Sequence, residues 1–126
     1  MDANNANELR HAARYGDIDT VKFLVNTGRA HNVNQALIWA AHGGNLSIVM
    51  FLVNAGADDL TGALNEAARM GRLSVVQCLV ELGADEWEDA RWLAGNGNYH
   101  DVTAYFDNII AFQQQMEHQT TTEAAA

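Results

Sequence analysis

The chain has 126 residues, 48% of them hydrophobic, with no proline and with 16 acidic against 7 basic side chains; its pI is near 4.7. That is one domain's worth of chain with enough apolar content for a core, and its acidic balance argues against phosphate-backbone and anionic-lipid partners. Cys78 is the only cysteine, which excludes an internal disulfide and any metal site built mainly on thiolates.

The first ten residues are polar and have neither the basic flank nor the apolar stretch of a signal peptide. No apolar run approaches the ~18 residues that span a bilayer. These readings together predict a cytoplasmic protein in a reducing compartment, with no membrane association.

From there the chain repeats itself. Leu9 to Gly28 reads LRHAARYGDIDTVKFLVNTG, Leu37 to Gly56 reads LIWAAHGGNLSIVMFLVNAG, and Leu64 to Gly83 reads LNEAARMGRLSVVQCLVELG. The blocks share an Ala-Ala pair, a following Gly, a Val, a Leu-Val pair and a closing Gly. Each resolves into two short helices. Leu9, Ala12 and Ala13 fall on one face of the first helix at i, i+3, i+4. Gly16, Gly44, Gly71 and Gly97 are placed to stop the first helices, because glycine accepts the left-handed cap conformation. Asp17, Asn45 and Asn98 follow as expected N-caps, with Arg72 the exception. The second helix carries the stripe Ile18, Val21, Leu24 and Val25. A pair this short cannot bury its own apolar face, so pairs must stack to be stable.

A fourth, decayed copy runs from Ala90, with Ala94 and Gly97 read in register. Its second helix is long, with Val102, Tyr105, Phe106, Ile109 and Ile110 on one face, as suits a cap over the open end of a stack. After Phe112 the sequence loses periodicity and reads as a tail.

The pattern from Ala67 to Asp85, A-A-x-x-G-x-L-x-V-V-x-x-L-V-x-x-G-A-D, resembles the core of an ankyrin repeat, and the resemblance covers residues 7–111. It implies an all-α, ankyrin-like helical solenoid of about four helix-turn-helix repeats, with little or no β structure. The repeats are placed at 7–33, 34–60, 61–86 and 87–112, within a domain spanning 1–112, followed by a disordered tail at 113–126. The departures are equally informative. The spacing is 28 and then 27 residues rather than about 33. The Thr-Pro-Leu-His opening is reduced to its Leu and Ala, so the projecting hairpin fingers of the family should be plain loops. Asn34 and Thr61 are the expected N-caps of the following helices. Such shortened repeats resemble those of some large-virus and bacterial ankyrin proteins.

Catalytic motifs are absent. Gly95-Asn96-Gly97 lacks the strand and Gly-Lys-Ser/Thr of a phosphate loop. His100-Asp101 has no accompanying nucleophile. His11, His31, His42 and His118 share no metal-ligand spacing. Asn45-Leu46-Ser47 matches a glycosylation sequon but is better explained by an N-cap, and Cys78, in the column of Phe23 and Phe51, is expected to be buried and inert. No cofactor or metal is implied, and no enzyme activity is expected.

One constellation rises above this background. With Leu9, Ala12 and Ala13 inward, the neighbouring columns must point outward. They read Arg10, Arg14, Ile38, His42, Asn65, Arg69 and Arg91, and His11, Tyr15, Trp39, Met70 and Trp92, interrupted by Glu66. The resemblance implies that this is the concave, partner-binding face. Arg10, Arg14, Tyr15, Trp39, His42, Arg69, Met70, Arg91 and Trp92 are therefore the candidate contact residues, rich in the types that dominate binding hot spots. The competing reading has the tryptophans packed between repeats and the arginines merely paired with Glu8, Glu66, Glu88 or Asp89.

The expected function is a non-catalytic protein-interaction module or a small protein inhibitor. Its partner would be another protein, not nucleic acid and not a small-molecule substrate. The alternative is an acidic nucleic-acid mimic, whose acids at Asp17, Asp19, Asp58, Asp59, Glu81, Asp85, Glu86, Glu88 and Asp89 would fill a basic cleft.

Overall fold

The computed structural model describes the backbone from Asp2 to Ala125 except His31, and the side chains of residues 6–30 and 32–117. The described residues form helices and connecting turns, with no strand: α1 Asp2–Tyr15, α2 Ile18–Asn26, α3 Val33–Gly43, α4 Leu46–Asn54, α5 Leu60–Arg69, α6 Leu73–Glu81, α7 Glu88–Asn96 and α8 His100–Ala125. Each odd-numbered helix pairs with the helix after it. The pairs then stack, α1 on α3 on α5 on α7 in one layer and α2 on α4 on α6 on α8 in the other.

The first-helix layer is the more closely packed, and its sequence says why. Ala12, Ala13, Ala40, Ala41, Ala67 and Ala68 are all buried between helices, and their single methyl groups let backbones approach. The second layer contributes bulk. Leu24, Leu52, Leu79 and Phe106 occupy one column and are almost completely buried. Each such side chain contributes roughly 1.5–3 kcal/mol by leaving water. Together with Val21, Ile48, Val49, Val75, Val76 and Val102 they form one continuous core.

The hairpins inside the repeats show why glycine recurs. At Gly44 (φ +74°) and Gly71 (φ +72°) the chain is left-handed, and the following repeat also lies against the missing side chain. A Cβ on Gly44 would sit 2.9 Å from Arg72 Cδ, and one on Gly71 would run into the Tyr99 ring. In the fourth copy the left-handed residue is Asn98 (φ 62°), not Gly97. The Tyr99 N–H bonds the Ala94 carbonyl as the Arg72 N–H bonds that of Ala67. The register of this copy is therefore one residue later than its glycine column suggests, and Asn98 is not an N-cap.

Three further caps differ from expectation. Asn32 and Asp59, not Asn34 and Thr61, cap α3 and α5, accepting from Gln35 N and Gly62 N. Asn34 instead clamps the next loop: its Oδ1 accepts from the Asp58 and Asp59 amides at 2.8 and 3.0 Å, and its Nδ2 donates to Asp58 Oδ1. This clamp stands where a hairpin finger would otherwise join the repeats. Asn45 precedes α4 without a side-chain bond to it. Its Nδ2 reaches back to the Ala13 and Arg14 carbonyls at 2.7 and 2.9 Å, and Arg72 Nε does the same to the His42 carbonyl at 3.1 Å. Both side chains satisfy carbonyls that the C-terminus of a first helix leaves without intrahelical partners.

Cys78 is half-buried rather than buried, with Sγ 3.2 Å from Met50 Sδ, because the outer side of the second-helix layer has nothing stacked on it. Helix α8 continues to Ala125, where the loss of periodicity after Phe112 predicts a tail. Once the earlier turns supply a helical nucleus, the Gln, Met and Glu residues extend it at little cost, and the side chains of 111–117 are exposed.

Candidate functional site

The outward columns of α1, α3 and α5 meet in one continuous chain of side chains. Arg10 and Arg14, one turn apart on α1, place their guanidinium carbons 5.5 and 5.7 Å from the Trp39 ring centroid. Arg14 also lies 5.4 Å from the Tyr15 ring, and Tyr15 stacks on His11 at 4.5 Å. The Trp39 and His42 rings meet at 5.8 Å between centroids, with their planes 61° apart. His42 Nδ1 is 2.6 Å from Glu66 Oε1. A carboxylate only accepts, so Nδ1 carries the proton of that bond. Glu66 also receives both Nη2 and Nε of Arg69, at 2.5 and 3.2 Å.

Glu66 is the joint of this arrangement, and the sequence columns miss it by treating it as an interruption. Its partial burial pushes the carboxyl up, but the bonds from Arg69 and His42 outweigh that and hold it below the ordinary glutamate range. A carboxylate opposite a histidine and an arginine in adjacent first-helix columns was the available signal.

Not all candidates join the cluster. Arg91 turns toward α8 and pairs with Asp107 at 2.6 Å, a consequence of the one-residue shift in the fourth copy. Trp92, 67% exposed, lies beside Asn96 and Thr103 at that same end. Met70 is half-buried at the C-cap of α5. Of the four candidate arginines, Arg69 and Arg91 are neutralised internally, whereas Arg10 and Arg14 have no ion pair among the described residues. The side chains of His31 and His118 lie outside the described residues. Asn65 Oδ1, on the same outward column, is buried without a hydrogen-bond partner among the described residues.

The charge is unevenly divided. Residues 1–56 hold four Lys/Arg and four Asp/Glu, and residues 57–126 hold three and twelve, so the formal charge of −9 belongs to the second half. The Arg10–Arg14–Trp39 cluster therefore lies on the neutral half. Among the described residues no helix is long and apolar enough to cross a membrane, and no group of three or more His, Cys, Asp or Glu could hold a metal ion.

A solenoid of stacked short helix pairs defines a helical repeat protein. The family model described as "Ankyrin repeats (3 copies)" matches residues 9–89. The chain belongs to the ankyrin repeat family, whose repeats are generally protein–protein interaction modules and typically non-catalytic. A search of curated proteins finds no match.

Proposed function

We propose that this protein is a non-catalytic interaction module, or a small inhibitor that is little more than the module, and that it binds a protein partner through the first-helix face. The observation that carries this is the pair of arginines, Arg10 and Arg14, held against Trp39 without a carboxylate of their own among the described residues. Arg, Trp and Tyr are the types that dominate binding energy once desolvated, and here they are adjacent. The complementary segment bears acidic and apolar residues.

The test requires a partner purified after capture from the native extract. Arg14→Glu should weaken its affinity by about 2–5 kcal/mol, replacing attraction with repulsion, while the melting temperature stays near that of the native protein because Arg14 is exposed. The second reading, a nucleic-acid mimic, is favoured by the concentration of charge in residues 57–126. It expects neutralising Asp85, Glu86, Glu88 and Asp89 to abolish binding and Arg14→Glu to leave it intact.

A further inference from the structure

We infer that the Arg10–Arg14–Trp39 cluster is a subsite for a phosphorylated side chain of the protein partner. The inference rests on the interaction reading above and specifies the chemistry that this part of the face takes.

Both guanidiniums lie against the same indole, so they are within about 11 Å of each other, the limit set by their two distances to its centroid. Neither has an ion-pair partner among the described residues. The nearby acids are otherwise engaged or stand off. Asp17 lines the same recess as the two arginines, but its carboxylate is engaged locally, accepting from the Thr20 amide and hydroxyl at 3.2 and 2.6 Å. Glu66 is committed to His42 and Arg69. Glu8 lines the same recess but forms no ion pair with either arginine. Arg10 and Arg14 thus line one recess, neither of them in an ion pair among the described residues, with Glu8 and Asp17 in the same lining.

A single carboxylate brings one charge and two oxygens, enough for one guanidinium fork. A phosphoryl monoester brings about 1.5–2 negative charges and three strong acceptor oxygens, enough to take a fork from each arginine. The walls fit the remainder of such a side chain. Trp39 and the exposed ring of Tyr15 offer aromatic surface to its carbon skeleton, and Asn7 and Thr20 line the same recess as polar neighbours. The charge division sets the polarity of the bound segment. Its phosphate lies over α1 and α3, and residues running toward α7 are neutral or basic, since they approach the acidic half.

The experiment titrates the isotope-labelled full chain with phenyl phosphate and, separately, with phenylacetate, which keeps the ring and carries a single carboxylate. Magnetic resonance reads the indole N–H signals of Trp39, Trp87 and Trp92, assigned by single Trp→Phe variants. Phenyl phosphate should shift the Trp39 signal saturably and leave those of Trp87 and Trp92 in place. Phenylacetate should bind about tenfold more weakly or less, for want of the second charge. Arg10→Gln with Arg14→Gln should abolish the shift, and Arg69→Gln should not. Arg14→Lys keeps the charge without the fork and should weaken binding several-fold; it also serves if the double variant fails to fold. Glu8→Gln should tighten binding.

Equal affinity for the two probes, no saturable shift, or persistence of the shift in the Arg10/Arg14 variant overturns the inference. The interaction reading fails separately. A partner that needs Arg14 but has no preference for phosphate defeats the phosphate subsite alone. A partner indifferent to Arg14→Glu defeats the interaction reading, while the phenyl phosphate titration still decides the chemistry of the cluster.

Discussion

Asn45 occupies the position before α4, where Asn, Asp and Ser ordinarily accept from the helix's first amides. By that rule Asn45→Asp should be harmless or helpful. The structure gives the opposite expectation, because the side chain acts as a donor: Nδ2 bonds the Ala13 and Arg14 carbonyls of the preceding repeat, and no side-chain bond reaches α4. Each such bond contributes roughly 0.5–1.5 kcal/mol net, so Asn45→Ala should cost about 1–3 kcal/mol. Asn45→Asp loses both bonds and also places a carboxylate against two carbonyl oxygens at the negative end of α1. A new cap bond to α4 would recover at most about a kcal/mol, so the aspartate variant should be at least as destabilised as the alanine one. For a chain of this length that is a fall of about 4–12 °C in melting temperature, with the urea midpoint as a second reading. Asp17, the corresponding residue of the first copy, is an acceptor from Thr20, and Asp17→Asn should cost much less. If Asn45→Asp melts at or above the temperature of the native protein, the donor role is wrong and the ordinary cap rule holds.

Gly71→Ala and Gly28→Ala separate backbone cost from close approach. Both positions have φ near +72°, worth about 1–2 kcal/mol for a non-glycine residue, but a Cβ on Gly71 strikes the Tyr99 ring and one on Gly28 meets nothing within 4 Å. Chemical denaturation should rank Gly71→Ala as clearly the more destabilised; equal losses would mean that the repeats can part at no cost. Glu66 sets an acid limb. Its folded pKa lies below the ordinary 4.5, so its bonds contribute above that pH and are lost as pH falls through the depressed folded value. The urea midpoint should drop on acidification from pH 5 downward. In Glu66→Gln the drop should be shallower from a lower starting stability, and an unchanged acid limb in that variant would refute the assignment.

Helical periodicity, the breaks at glycine and three copies of one pattern are enough to determine the class of fold. These signals are local, carried by neighbours three and four residues apart, and a helix fixes the relation between such neighbours. The same logic identifies the outward columns and so brings Arg10, Arg14, Tyr15, Trp39 and His42 onto one face. Tertiary structure decides what those side chains do there. Asn45 finds its carbonyls 31 and 32 residues upstream, His42 finds Glu66 24 residues on, and Arg91 finds Asp107 on the next helix. A residue's column says which way it points, not which rotamer reaches which neighbour across the stack. That choice separates a donor from a cap in Asn45, and the two arginines without an ion pair among the described residues from the two that are already paired. The fourth copy shows the limit most plainly. Its Gly97 matches the glycine column in sequence, yet Asn98 takes the left-handed turn, because the chain must place Tyr99 against Gly71 and Phe106 in the leucine column of the core.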